Sequence, residues 1–236
     1  MARTVGIGIQ SFGKIIENGY FYVDKTGFIK DWWESGDDVT LITRPRRFGK
    51  TLTMSMLDHF FSADFAGRGD LFEDLSMWKE EKYRSLQGSY PVIFLSFASI
   101  KESSFAGTRE KICYLIKNLY NKYDFLLNSQ LLNADEKQAY RAVSTEMEDY
   151  LASTSLNALS DYLSRYYGRK VILLLDEYDT PMQEAYIYGY WEELAAFIRS
   201  LFNSTFKTNP YLERAIMTGI TRISKESIFS DLNHLE

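Results

Sequence analysis

The 236-residue chain has one cysteine, Cys113, and two histidines, His59 and His234. A single thiol excludes an intrachain disulfide, and its apolar setting, KICYLIKNLY, reads as a buried thiol in a reducing compartment. Two distant histidines and one cysteine do not make a transition-metal site, and no Ser-His-Asp arrangement is supported. No apolar run approaches the roughly 20 residues that span a bilayer, and the N-terminus lacks an apolar signal core. Basic residues are outnumbered, 27 Lys and Arg against 32 Asp and Glu, for a net charge of −5. That balance argues against broad electrostatic binding to nucleic acid and leaves room only for a local basic groove. Repeats and low-complexity tracts are also missing. The expectation is a globular cytoplasmic protein without a membrane partner.

What is present is a core. Hydrophobic residues make up 45% of the chain and aromatics 16%, enough for one large domain or one domain with appendages. The 17 tyrosines are accounted for by helix–sheet packing; a stacking platform for bases has no further support. Short apolar runs at residues 37–43, 91–97, 171–175 and 214–220 read as strands. The run at 171–175 is uninterrupted, as in a parallel strand covered on both faces. Helical periodicity begins at Lys50 and recurs over 105–127, 151–167 and 191–202, with NADEKQAY starting another helix. Strands alternating with helices predict an α/β core over residues 37–236 with a mainly parallel sheet. Residues 1–36 are expected to form a segment packing beside the loop described next. Residues 61–90 are aromatic and charged, and carry no assignable pattern.

The stretch TRPRRFGKTLTMSML lies between a strand and a strongly periodic helix. Gly49, Lys50 and Thr51 match the end of the phosphate-loop (Walker A) pattern G-x-x-x-x-G-K-[ST], and Arg44 stands where its first glycine belongs. A bare GK[ST] occurs by chance in on the order of one chain in ten of this length, so the context carries the reading. Gly49 lets backbone amides turn toward a phosphate, and a helix N-terminus adds free N–H groups and partial positive charge. Lys50 can reach β- and γ-phosphates, and the Thr51 hydroxyl can ligate Mg²⁺. Pro45 stiffens the loop, Arg46 and Arg47 add charge, and Phe48 and Leu52 complete the candidate nucleotide-contacting set. The competing reading is a solvated basic turn capping a helix.

A phosphate loop needs an acid on a neighbouring strand. VILLLDEYDTP ends an apolar run in Asp176 and Glu177, where open α/β sheets bind ligands. Asp176 can hold Mg²⁺, and Glu177 can deprotonate an attacking water. Tyr178 and Asp179 line the same exit, and Pro181 is expected to end the turn. Alternatively, Asp176 and Glu177 are surface charges at a strand end. From MTGITRIS, Thr218 can sense a γ-phosphate and Arg222 can stabilise its charge in cis or in trans. The alternative for Arg222 is a salt bridge with Glu226 or Asp231.

Together, GYFYVDKT, LITRPRRFGKTLTMSML, ILLLDEYDTP and MTGITRISKESIFSDLN resemble the AAA-ATPase-like family of bacterial and archaeal P-loop ATPases. The resemblance implies a RecA-like P-loop core with an extra catalytic glutamate (ASCE type). It implies ATP and Mg²⁺ as ligands, with Lys50, Thr51, Asp176 and Glu177 as the contacts. Arg44 routinely replaces the opening glycine in that family. Tyr22, Asp24 and Lys25 match the block before the loop, with Asp24 expected near the base or bracing the loop. Family members often continue into a helical lid and a restriction-endonuclease-like nuclease domain. Both are expected to be absent here, so nucleic acid would enter only through a domain this chain lacks. The expected function is Mg-dependent ATP hydrolysis coupled to an unidentified process, with a homo-oligomer or a protein as partner. The alternatives are a nucleotide-dependent switch with little turnover and, more weakly, a P-loop kinase. ATP and GTP are not distinguished.

Overall fold

Four short apolar segments pair side by side in the computed structural model, which describes residues 4–221. They are β1 (Val39–Thr43), β2 (Val92–Ser96), β3 (Val171–Asp176) and β4 (Leu212–Gly219). All pairings are parallel and the order is β1-β4-β3-β2, so the last strand lies between the first and the third. The helices in chain order are α1 (Phe12–Glu17), α2 (Gly27–Ser35), α3 (Lys50–Phe61), α4 (Glu81–Arg84), α5 (Phe105–Lys122), α6 (Ala134–Ala142), α7 (Asp149–Tyr167), α8 (Thr180–Tyr188) and α9 (Trp191–Phe202). The result is an α/β fold with a parallel sheet flanked by helices.

Side-chain alternation divides β3 between two cores. Ile172 and Leu174 pack with Met54, Leu57 and Phe60 of α3, together with Phe12 and Trp32 from the N-terminal helices. Leu173 and Leu175 face the other way, toward Ile116, Leu159 and Ile198 of α5, α7 and α9. Both faces are therefore covered, which is why the strand is apolar without interruption. Each such aliphatic side chain contributes about 1.5–3 kcal/mol on burial.

Two sequence expectations need adjustment, and one unassigned stretch is resolved. The pattern at 105–127 is split: α5 stops at Lys122 and a 3₁₀ turn, Asp124–Asn128, follows. Pro181 does not end a turn but sits in the first turn of α8, where its missing N–H costs no hydrogen bond. Residues 61–90 form 3₁₀ turns and the four-residue α4, each too short to show a period. Even so, they bury Leu71, Phe72, Met77 and Tyr83 against α3. NADEKQAY starts α6 with a reciprocal capping box between Asn133 and Glu136.

The N-terminal segment covers the α3 face near β1. The Trp32 indole donates to Thr40 Oγ1 at 3.2 Å. The Arg214 guanidinium, at the start of β4, donates to the Trp32 carbonyl at 3.1 Å and lies over the Trp33 ring at 5.1 Å. The Phe12 amide donates to Ser55 Oγ at 3.0 Å, fixing α1 to α3.

Candidate functional site

Strand parity decides which side chains meet the loop. Ile172 and Leu174 face α3, so Asp176, two residues further, faces the same way; Ile216 likewise predicts the direction of Thr218. Ile42 also packs on this side, and register sets it opposite Thr218. With Leu175 opposite Met217, the ends of β1, β4 and β3 bring Ile42, Thr218 and Asp176 into one row.

The polar groups of that row bond one another. Thr218 Oγ1 donates to Asp176 Oδ1 and accepts from the Glu177 amide at 3.3 Å. Asp176 is fully buried, yet its Oδ2 has no hydrogen-bond partner. A buried oxygen left unpaired costs about 1–3 kcal/mol. This position is therefore built at the expense of the ligand-free fold.

The loop leaves β1 with the Arg44 amide donating to the Gly219 carbonyl at 3.1 Å. It then turns through two left-handed residues, Arg47 (φ 69°) and Gly49 (φ 79°), before α3 begins at Lys50. Glycine takes that conformation freely, whereas Arg47 holds it at a cost of about 1–2 kcal/mol. Lys50 is buried, and its ammonium donates to the carbonyls of Arg44 (2.8 Å) and Pro45 (3.1 Å). The lysine thus braces the inside of its own loop, while Arg44, Pro45, Arg46, Arg47 and Phe48 are exposed.

Two cavities meet at Lys50. The smaller, about 250 Å³, is lined by Lys25, Phe28, Ile42, Arg44, Phe48 and Thr218, among others. The larger, about 630 Å³, is lined by Arg46, Arg47, Gly49, Lys50, Thr51, Leu52 and Glu177 together with residues 7–10. Glu177 adopts a positive φ of 52°, unusual for a residue with a Cβ, and its Oε2 accepts from Thr180 Oγ1 at 3.2 Å. The structure therefore brings together Arg44, Arg46, Arg47, Gly49, Lys50, Thr51, Leu52, Glu177 and Thr218 around the loop. Asp176 lies behind them in the strand row.

Asp24, expected near the base or bracing the loop, is instead held by Thr26 and Ser76. Its carboxylate accepts from the Thr26 amide (2.9 Å), the Thr26 hydroxyl (2.6 Å) and the Ser76 amide (2.7 Å), and it lines neither cavity. Burial alone would raise its pKa, but the hydrogen bonds from Thr26 and Ser76 outweigh that and hold it at about 2. Its neighbour Lys25 faces the loop instead, with Nζ 3.5 Å from where a Cβ on Gly49 would stand. Tyr22 donates to Met56 Sδ at 3.3 Å, and burial pushes its phenol up to about 12. Arg222 lies outside the described residues, as do Glu226, Asp231 and His234. His59 bonds the Ser55 carbonyl at 2.7 Å and stacks on Phe65, a packing role.

Sequence reasoning underrated Asp179. It is fully buried, and its Oδ2 accepts from the amides of Ile220 (2.9 Å) and Thr221 (2.8 Å), the Thr221 hydroxyl (2.8 Å) and Gln183 (3.0 Å). It ties the exit of β4 to the exit of β3. Gly219 makes this possible, because a Cβ there would fall 2.7 Å from Tyr178 Cε1 and 2.8 Å from Asp179 Oδ1. The Asp before Thr-Pro was the available signal, since it resembles a helix cap; the carboxylate instead faces β4. Residues 7–10 were also missed, and no motif or period marks them.

A parallel α/β sheet with a glycine-lysine turn joining a strand end to a helix is the class that fold and site define. The family described as Predicted AAA-ATPase matches residues 6–229, and the chain belongs to it. It is 30% identical over 238 residues to an uncharacterized protein in the vnfD 5′ region of Azotobacter chroococcum mcd 1. That match covers 99% of this chain and 40% of the relative, so the chain spans about two-fifths of that protein's length. No solved structure matches the chain. Among the described residues, no helix is long and apolar enough to cross a membrane.

Proposed function

We propose that the chain binds Mg²⁺-ATP through residues 44–52 and hydrolyses it on a RecA-like core of the ASCE type. One observation carries this reading. The strand order sets Thr218 and Asp176 side by side at the sheet's C-terminal edge, with a fully buried Asp176 oxygen unpaired on the face that bears Lys50 and α3.

A divalent ion fits these residues. Among the described residues no three His, Cys, Asp or Glu side chains gather to hold an ion by themselves. An ion held jointly by Asp176, the Thr51 hydroxyl and phosphate oxygens needs no such cluster, and Mg²⁺ favours this mode. When bound, Mg²⁺ would offset phosphate charge and orient the terminal phosphoryl group.

The chain's own residues supply the rest. The loop amides and the start of α3 receive phosphate oxygens. The Lys50 ammonium leaves the Arg44 and Pro45 carbonyls to donate to the phosphates. Glu177 takes a proton from the attacking water, a contribution of about 10²–10⁴ in rate. Thr218, bonded to both Asp176 and the Glu177 amide, reports the γ-phosphate to the acidic strand. Arg44, Arg46 and Arg47 add positive charge, and Arg222 is the candidate charge-stabilising arginine, worth about 10³–10⁵ where one operates. A homo-oligomer is the natural setting if that arginine acts in trans.

Lys50→Ala is expected to abolish ATP binding by calorimetry; unchanged affinity would remove the site assignment. Glu177→Gln is expected to bind ATP but slow phosphate release by at least about 10². Equal rates in wild type and variant would sink the hydrolase reading. A second reading, a nucleotide-controlled switch with little turnover, is favoured by the Lys50 contacts to its own loop. Binding must break those contacts and so couples phosphate to loop shape.

A further inference from the structure

The larger cavity has a chemically mixed lining: Arg46, Arg47, Gly49, Lys50, Thr51 and Glu177 are charged or belong to the loop and its helix start, and Ile7, Gly8, Ile9 and Leu52 add apolar surface beside Gln10. Ile7 is 94% exposed, an aliphatic side chain left in water at the cavity wall. Its segment is nevertheless held at both ends. The Phe21 amide donates to the Thr4 carbonyl at 2.8 Å on one side, and the Phe12 amide donates to Ser55 Oγ at 3.0 Å on the other. Two glycines shape the turn between. Gly8 takes a φ of 79°, and a Cβ on Gly6 would stand 2.6 Å from Ile9 Cδ1. The wall is thus shaped before any ligand arrives.

We propose that residues 7–10 form the nucleobase wall of the site, with the base covering Ile7 and Ile9 and with Gln10 at its polar edge. The inference rests on the phosphate-loop reading and extends it to the opposite end of the ligand. A volume of about 630 Å³ lies within the usual range for small-molecule sites. A flat, weakly polar ring covers the exposed aliphatic surface, while the phosphates reach the loop residues. The Gln10 side chain offers both a donor and an acceptor to a base edge.

The test compares ATP with inorganic tripolyphosphate, which has the phosphates and no base, by calorimetry on the full chain. Wild type is expected to bind both. Ile7→Ser changes an almost fully exposed position and leaves the charge unaltered. It is expected to weaken ATP about tenfold while tripolyphosphate stays within about twofold; one or a few apolar groups account for about 10–200-fold discrimination. Ile7→Leu should restore ATP binding, and Gln10→Ala should follow Ile7→Ser. ATP affinity unchanged in Ile7→Ser, or both ligands weakened equally, overturns the base wall and leaves the loop assignment standing. Failure of wild type to bind either ligand overturns the loop assignment itself.

Discussion

Replacing Asp176 with Asn should stabilise the ligand-free protein while removing its response to nucleotide. Asp176 is fully buried, with Oδ1 accepting from Thr218 and Oδ2 unpaired. Asn keeps the acceptor for Thr218, fits the same space and removes the charge. An unpaired charged oxygen costs more than the unpaired neutral amide group that replaces it, and the difference is about 1–2 kcal/mol. For a domain of this size each kcal/mol moves Tm by about 2–4 °C, so the expected rise is about 2–8 °C. Asp176→Ala should do the opposite. It strands the Thr218 hydroxyl and opens a small void, for a loss of about 1–3 kcal/mol. The assay is thermal and urea unfolding by circular dichroism, with and without Mg²⁺-ATP. Wild type at 100-fold excess over Kd gains about 2.7 kcal/mol by mass action, and Asp176→Asn should gain almost none with Mg²⁺ present. If Asp176→Asn is less stable than wild type without ligand, the acid serves the fold and not a ligand. The metal-holding argument then fails.

Two further outcomes follow from packing and charge. Gly219→Ala puts a methyl group against Tyr178 and Asp179, both fully buried. It should destabilise by about 1–3 kcal/mol, seen as a lower urea midpoint with unchanged m-value; a neutral effect would mean that the β3 and β4 exits are not tightly joined. Asp58, half-buried on α3, has its pKa raised to about 6, first by burial and then by the charge of Asp64, with Lys122 opposing. Because the folded value lies above the unfolded one, near 3.8, its stabilising contribution is complete below about pH 4. That contribution is lost as pH rises through 6, a fall of about 3 kcal/mol. Asp58→Asn should flatten that part of the stability–pH curve and raise Tm at pH 7; an unchanged curve would refute the assignment to Asp58.

Much of the fold was legible because strand and helix periods are local properties. The apolar runs became β1 to β4 within one or two residues, and the periodic stretches became α3, α5, α7 and α9. Misreadings arose where local chemistry was ambiguous. Pro181 serves equally at a turn's end and in a helix's first turn, and only the packing of Met182 and Ala185 into the core selects the helix. The 3₁₀ turns between α3 and β2 are shorter than any period and are held by tertiary cover. At the site, the residue types around Gly49 announced themselves through spacing. Asp24 matched a family block, but its carboxylate is taken by Thr26 and Ser76, a partner 52 residues away.

The division between sequence and tertiary structure has a physical cause. Composition, periodicity and the order strand, GKT, helix, acid-ended strand depend on neighbours along the chain, and they determined the α/β class and the candidate loop. Insertion of β4 between β1 and β3 depends on pairing across more than 170 residues. The pairing of β4 with β3 on the other side decided that Thr218 meets Asp176 and that Asp179 holds the exit of β4. It was likewise only the docking of α1 onto α3 that brought residues 7–10 to the cavity that Lys50 also lines.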